Sequence, residues 1–367
     1  MPMKTSFAFL TENYRCLDNC AFCCLCEPEI PAEELALFLS NEEWKEKVQR
    51  KFADGELKYV IKLKNRHGAC SFLSQKKCTI YGQRPLYCRL YPFQRHLSTR
   101  LQITANLSCR GLWESDGEDI RKVAEQFLPE EKVIARTVKE VEERYRETKE
   151  GMEEDGVYTS QEELQKLVLE ILPLFTTEEG LEKILSFADT NEFAVSSPSE
   201  IFDAEVNVDA AKYASQMSLE VFREKDIVNL PVYSTPSLDW FVLRFEKGML
   251  RWYRMEEDGE LVFVKNVEHE EKLLPLTEDA KKLLERYILL LNERDLTYGN
   301  ALLLTDFSAN EIPVLSNYLG ALATSVLELW WRANLFASSE IDFNAMREGI
   351  VFYDADYLDK PTLGAVF

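Results

Sequence analysis

The spacing of apolar residues predicts a first region of short elements at residues 1–113. The segment IPAEELALFLSNEEWKEKVQRKF (30–52) has helical periodicity, with acidic residues early and basic residues late. The alternating run KYVIKLK (58–64) predicts a strand, and short strand-like pieces with turns follow it. Pieces this short are typical of a chain wrapped around a site rather than around a large apolar core.

Residues 114–195 are predicted to be helical. One helix should carry an apolar stripe at helical spacing, formed by Ile134, Val138, Val141 and Tyr145. A second should begin at Ser160, because Glu163 completes a capping-box signature ahead of LQKLVLEIL. The stretch VSSPSE around Pro198 predicts a linker to the next region.

Residues 196–367 mix both kinds of pattern. The runs WFVLRF, MLRWYRM and ELVFVKNV, separated by turns, predict an antiparallel meander. One helix should follow from Thr277, and another should start near Ser308–Glu311, with a capping box and an early Pro313. Polar residues interrupt the apolar run at 312–336, so it predicts a core helix rather than a membrane span.

Charge divides the chain unevenly. Residues 1–110 carry 17 Lys/Arg and 11 Asp/Glu, a net of +6, while the remaining 257 residues carry 26 and 53, a net of −27. Without an extended basic surface, nucleic acid is not expected as a partner. The acidic region could attract a basic, lysine-bearing protein, or it could serve only solvation or adaptation to salt.

Cysteine is confined to the first region. All nine cysteines lie at or before Cys109, and five of them fall within YRCLDNCAFCCLCEP (14–28). A disulfide framework suits short secreted chains, and the N-terminal stretch does not read as a secretion signal. We therefore predict metal binding by thiolates in a reducing cytoplasm, either to zinc or in an iron–sulfur cluster.

These patterns together predict an α+β fold in three parts. The first is a small irregular, metal-stabilised cysteine domain at 1–113, and the second is the helical region at 114–195. The third is an α+β domain with the meander, at 196–367. P-loop, Rossmann and H-E-x-x-H signatures are absent from the sequence, so those nucleotide, dinucleotide and zinc-protease sites are not expected.

Two known cysteine patterns resemble this one. Cys16, Cys20 and Cys23, with Phe22, match the C-x3-C-x2-C loop of radical S-adenosylmethionine (SAM) enzymes. The rest of the first region lacks the repeated strand–helix units of their barrel, which makes that interpretation the less favoured one. The run HGACSFLSQKKCTIYGQRPLYCRLYPF (67–93), together with CLDNCAFCC (16–24), is more specific. It resembles the YkgJ-like cysteine-cluster family, also described as the CxxCxxCC zinc- or iron-chelating domain.

The family resemblance rests on motifs in order over about the first 110 residues. They are C-x-x-C-x-x-C-C, G-x-C-x-[FY]-L, C-x-I-Y and R-P-x-x-C-R-x-[FY]-P, with one extra residue here between Cys16 and Cys20. With Cys109 added, the metal ligands it implies are Cys16, Cys20, Cys23, Cys24, Cys70, Cys78, Cys88 and Cys109. Eight thiolates suffice for two four-thiolate sites, and a single site with some cysteines free is the alternative. His67 or His96 could complete a Cys3His set, and Cys26 is extra to the pattern.

The late Cys109 and the long region after it are similar in outline to flagellin lysine-N-methylases. That resemblance implies a 4Fe-4S cluster and SAM-dependent methyl transfer to lysines of a protein substrate. Three arginines could bind the cofactor through hydrogen bonds to the SAM carboxylate, or could only orient the cysteine loop through hydrogen bonds to its backbone. They are Arg84, Arg89 and Arg110. The alternative function is a non-catalytic module that uses metal for structure or delivers it. Neither a membrane nor a nucleic acid is expected as a partner.

Overall fold

The computed structural model describes residues 4–53, 56–194, 196–269 and 271–366 and shows the predicted α+β fold. Its strands are β1 (Thr5–Ala8), β2 (Asn13–Tyr14), β3 (Val48–Ala53), β4 (Glu56–Ile61), β5 (Leu73–Ser74), β6 (Lys77–Cys78), β7 (Phe93–Leu97), β8 (Leu101–Ala105), β9 (Glu118–Asp119), β10 (Val232–Ser234), β11 (Trp240–Glu246), β12 (Met249–Met255), β13 (Leu261–Val267) and β14 (Ala365–Val366). Its α-helices are α1 (Ala32–Ser40), α2 (Glu42–Lys45), α3 (Leu86–Leu90), α4 (Ile120–Glu125), α5 (Glu131–Glu154), α6 (Gln161–Ile171), α7 (Glu178–Thr190), α8 (Pro198–Phe202), α9 (Ala210–Phe222), α10 (Glu278–Glu293), α11 (Asp295–Phe307), α12 (Val314–Asn334) and α13 (Phe343–Leu358).

One sheet joins strands from opposite ends of the sequence. Its order is β1-β8-β7-β14, with β1 parallel to β8 and the other pairs antiparallel. A Cβ on Gly364 would lie 2.5 Å from the carbonyl oxygen of Leu97, so a glycine is needed where the chain approaches β7. The C-terminal strand therefore closes the edge of a sheet that begins in the cysteine region.

One large hydrophobic cluster runs from this sheet into the helices. Leu97 and Ile103 of the sheet belong to the same buried cluster as residues of α7, α9, α10 and α13. Helix α12 packs against α7, α9, α11 and α13, and most of its side chains are buried, which confirms the predicted core helix. Within the described ranges, no helix has both the length and the apolar character needed to cross a membrane.

Several local predictions are confirmed. The Ser160 side chain caps α6 by accepting from the amide of Glu163. The Glu163 carboxylate accepts from the amide of Ser160, which completes the capping box. Thr277 caps α10 by accepting a hydrogen bond from the amide of Ala280. Strands β11, β12 and β13 form the predicted meander, and β10 adds a fourth strand beside β11. Capping and turn signals are local, which explains why the sequence alone reveals them.

The single helix predicted at 30–52 is wrong. The chain forms α1, restarts as α2 at the N-cap Asn41, and then becomes strand β3 from Val48. The amides of Glu43 and Trp44 donate to the Asn41 side chain, which ends one helix and begins the next. Six paired residues of β4 hold β3 extended, so cross-strand pairing overrides the helical periodicity.

The capping box predicted at Ser308–Glu311 is also wrong. Helix α12 begins at Val314 after Pro313, and the Ser308 hydroxyl instead accepts from the amide of Ile312. Ala309 and Asn310 have positive φ of 54° and 62°, which breaks the chain between two helices. The first of these, α11, was missed because it is buried on nearly every side and lacks a polar stripe.

Candidate metal centre

The opening cysteine loop is a series of tight turns. The amide of Cys20 bonds to the carbonyl of Leu17, and Phe22–Cys24 forms a 3-10 turn. Asn19 and Ala21, with φ of 62° and 50°, turn the chain sharply before it. Cys23 and Cys24 are neighbours in this turn, and their thiols are hydrogen-bonded to each other.

Three later cysteines are brought to this loop by separate elements. The amide of Cys70 donates to the carbonyl of Cys24 over 2.7 Å, which ties the two segments together. Cys78 ends the short hairpin β5–β6, opposite Leu73. Cys88 lies in α3, whose first turn is set by the carbonyl of Pro85. Each cysteine thus has its backbone fixed by local hydrogen bonds.

These segments enclose a cavity of about 360 Å³ that six thiols line. The six are Cys16, Cys23, Cys24, Cys70, Cys78 and Cys88. Lys76, Lys77 and Arg84 also line it, against the single carboxylate of Asp18. Cys20, Cys26 and Cys109 lie outside the lining. The cavity therefore combines soft sulfur donors with an excess of positive charge.

Most of the thiols are held protonated. Burial raises the pKa of Cys70 to about 11 and also raises the pKa values of Cys20 and Cys78. Cys23 is the exception, because a hydrogen bond from the Cys24 thiol lowers its pKa to about 7. The positive charge of Arg84 lowers it further. A metal must displace protons from the other thiols, so binding should strengthen as pH rises.

Among the described residues, no three cysteine, histidine or carboxylate side chains already lie close enough together to hold a metal ion. The donor chemistry nevertheless fits one, since thiolates are ligands for zinc and for iron–sulfur clusters. Because hydrogen bonds fix their backbones, the cysteines would bring their sulfur atoms to a common metal by rotation of their side chains. Metal binding and the final ordering of this region should therefore be coupled.

The three arginines predicted to bind a cofactor lie in different places. Arg84 lines the cavity, with its guanidinium 3.8 Å from the centre of the Tyr81 ring. Arg89 reaches Glu34 of α1 at the surface. Arg110 is buried, and its guanidinium donates to the carbonyl of Ser234 and to Glu348. The structure therefore brings only Arg84 of the three to the thiol cavity.

Both histidines flagged from the sequence lie outside the cavity lining. His96 is buried in β7, and its Nε2 lies 3.1 Å from the hydroxyl of Thr362. The ring of His67 lies beside Gly259 in the β12–β13 turn. The basic side chains in the cavity lining are lysines and an arginine, which carry positive charge and do not bind a metal cation. The ligands that the cavity offers to a soft metal are therefore its thiols.

Sequence reasoning missed Lys76 and the residues that position it. Gln75 and Lys76 form the β5–β6 turn with positive φ, a conformation that usually needs Gly or Asn. The carboxylate of Glu257 accepts from the amide of Lys76 over 2.5 Å, and the Lys76 ammonium lies 3.0 Å from the centre of the Trp240 ring. These partners are more than 160 residues away in sequence, so local pattern could not reveal them.

Comparisons with known proteins agree with the cysteine pattern. A family model described as "CxxCxxCC: Putative zinc- or iron-chelating domain" matches residues 15–110. The chain is also similar to the uncharacterised protein MJ0661 of Methanocaldococcus jannaschii. The two are 30% identical over 163 residues, which cover 41% of this chain and 80% of that protein. No solved structure matches the chain.

Proposed function

Because this chain belongs to the CxxCxxCC family of zinc- or iron-chelating domains, we propose that it binds an iron–sulfur cluster in the thiol-lined cavity. One observation carries the proposal. Six cysteines from four separate stretches of sequence line a single cavity of about 360 Å³. A structural zinc ion is closed off by four ligands, so six thiols around an open space exceed what a lone zinc ion requires.

The cavity residues have distinct parts in this proposal. Cys24, Cys70, Cys78 and Cys88 would hold the cluster, which supplies electron-transfer chemistry when bound. Lys76, Lys77 and Arg84 offset the negative charge that thiolates bring into a partly buried space.

The positive charge on the cavity wall also supports a finer proposal, methyl transfer from SAM to protein lysines. A guanidinium binds a carboxylate through two parallel hydrogen bonds, and Arg84, which lines the cavity, would bind the carboxylate of SAM in this way. The C-terminal 257 residues carry a net charge of −27, which would favour a lysine-bearing protein as substrate. We place this activity in the cytoplasm, where thiols stay reduced.

Anaerobic purification followed by iron, sulfide and zinc analysis and a visible absorption spectrum tests the metal proposal. We expect iron with a matching amount of sulfide and a broad visible band, both lost in Cys70→Ser/Cys78→Ser. Cys26→Ser is the matched control, because Cys26 lies outside the cavity lining and should be dispensable. Zinc without iron would support the non-catalytic module instead, and protein free of metal would overturn the metal function.

The methyl-transfer proposal has its own test. Cluster-loaded protein is incubated with methyl-labelled SAM and fractionated lysate, and lysine methylation is read by mass spectrometry. Arg84→Gln should raise the SAM concentration needed for half-maximal rate, whereas Arg89→Gln, at the surface beside Glu34, should not. An absence of labelled lysine from every fraction would contradict methyl transfer while leaving the metal site intact.

A further inference from the structure

A second cleft adjoins the thiol cavity at Lys76. This cleft, here called the meander cleft, encloses about 430 Å³. It is lined by the β5–β6 turn, the start of β11, and the end of β12 with the turn that follows it. Lys76 belongs to the lining of both spaces. The two cavities are therefore neighbours that share one flexible ammonium side chain.

One wall of the meander cleft is the indole ring of Trp240. This side chain is 1% exposed, and its Nε1 donates to the carbonyl of Cys20 over 3.2 Å, which holds the ring in place. The Lys76 ammonium lies 3.0 Å from the centre of the ring and donates to the carbonyl of Leu238 over 3.3 Å. A fixed aromatic face that attracts an ammonium is the feature by which proteins recognise cationic ligands.

The charges of the lining favour a cation in this cleft. The carboxylates of Glu256 and Glu257 each pair with a basic side chain over 2.9 Å. Among the described residues, no basic side chain forms a salt bridge with the third carboxylate of the lining, that of Asp239. If the Lys76 ammonium were removed, the lining would hold three carboxylates and one guanidinium. The cleft would then attract another cation in its place.

The backbone of Lys76 is held independently of its side chain. Its amide donates to the carboxylate of Glu257 over 2.5 Å, and the hairpin on either side pairs Ser74 with Lys77. The ammonium is held by different partners, the Trp240 ring and the Leu238 carbonyl. Because a lysine side chain has a flexible four-carbon stem, the ammonium can leave the cleft while the hairpin stays in place.

We propose that the meander cleft is a binding site for an alkylammonium ligand, and that Lys76 occupies it as a built-in competitor. The ammonium of the ligand replaces that of Lys76 on the Trp240 ring, beside the carboxylate of Asp239. The displaced Lys76 side chain turns into the thiol cavity, whose lining it already shares. The inference goes beyond the proposed function, because it requires neither a metal nor SAM.

Ligand-observed NMR titration of the full-length protein tests this site. The amine probes are Nα-acetyl-lysine methylamide and cadaverine, and the neutral control is Nα-acetyl-norleucine methylamide. Lys76→Met removes the competing ammonium and keeps the backbone amide that binds Glu257. We expect this variant to bind the amines roughly tenfold more tightly than the wild-type protein, a difference typical of one partly desolvated cation–π contact. The amine that binds more tightly identifies the source of the ligand, a lysine of a partner protein or a free amine.

Two further variants locate the binding. In the Lys76→Met background, Asp239→Asn should weaken amine binding severalfold. Glu260→Gln is the matched control, because it removes an equal charge outside the cleft lining and should leave the affinity unchanged.

Two outcomes would overturn the inference. One is that the norleucine control binds as tightly as the lysine probe, and the other is that Lys76→Met binds the amines no more tightly than the wild-type protein. If Lys76→Met does not fold, the wild-type protein decides, since it should still bind the amines in preference to the norleucine control. These titrations need no metal, so their result and that of the metal analysis are independent.

Discussion

The backbones of Arg15 and Gly111 are in direct contact, and a Cβ on Gly111 would overlap the Arg15 carbonyl oxygen. The Arg15 amide also donates to the Gly111 carbonyl. The contact joins the start of the cysteine region to its end, next to Cys16 and Cys109. Only a residue without a side chain permits so close an approach.

Replacing Gly111 by Ala should therefore force Arg15 away from Cys109. We expect a loss of roughly 1–3 kcal/mol in the free energy of unfolding, as for other overpacked sites, together with lower metal content. Urea unfolding and metal analysis measure the two effects. Gly82→Ala is the control, since a Cβ there would meet no other described atom within 4 Å. Equal stability and equal metal content in the two variants would contradict this account.

Asp354 of α13 holds the segment that leads to Cys109. Its carboxylate pairs with Arg294 over 2.7 Å, and both side chains are 0% exposed. The amide of Leu107 donates to the same carboxylate over 2.7 Å, and the hydroxyl of Tyr287 donates over 2.8 Å. Helices α10 and α13 are thereby linked to the chain just before the last cysteine.

Asp354→Ala should destabilise the protein by about 3–5 kcal/mol, because it leaves the Arg294 charge buried and unpaired. Denaturant unfolding of the metal-free protein measures this without contributions from metal binding. Glu140→Ala, which removes the exposed partner of Arg136 on α5, should leave stability unchanged within error. A comparable loss in the free energy of unfolding in both variants would show that the buried pair stabilises the protein no more than the exposed one.

The sequence predicted what depends on near neighbours. The α+β class, the meander, the Ser160 capping box and the cysteine motifs all rest on residues within a few positions of one another. The sequence did not predict strand β3, because the conformation of this segment is determined by pairing with β4 rather than by its own periodicity. The sequence did not predict helix α11 either. This helix is buried on nearly every side, so it lacks the polar stripe by which helical periodicity is recognised.

The candidate site shows the same limit more sharply. The family resemblance implies the cysteines as metal ligands, yet nothing local distinguishes Arg84, on the cavity wall, from Arg110, which is paired with Glu348. Likewise, Lys76 becomes part of the wall through partners in β11 and in the turn after β12. Long-range contacts of this kind are fixed by how the elements pack, and one sequence carries no direct record of them.

Glu257 connects the meander to the cysteine region. Its carboxylate accepts from the amide of Lys76 over 2.5 Å and from the ammonium of Lys64 over 2.9 Å. Glu257→Gln removes the charge from both bonds and should cost about 1.5 kcal/mol or more of stability, the typical worth of hydrogen bonds to charged groups. Chemical denaturation measures it. Glu256→Gln, beside it but paired with Arg254 at the surface, should cost much less, and the reverse order would refute the assignment.

His96 should make the protein sensitive to mild acid. Burial lowers its pKa from 6.5 to about 4, and the nearby charge of Asp295 only partly offsets this. Between these two values the unfolded chain binds a proton that the folded protein does not, so stability falls as the pH is lowered from 6.5 towards 4.

The full effect of His96 is about 3 kcal/mol, at roughly 1.4 kcal/mol per pH unit. His96→Gln removes the titrating group and keeps a side chain that can reach the Thr362 hydroxyl. The free energy of unfolding, measured across this pH range on metal-free protein, should decline less steeply in the variant. Above pH 7, where His96 is neutral in both the folded and the unfolded state, the two curves should run parallel. An equal decline between pH 6.5 and 4 would mean that His96 is not the acid-sensitive group.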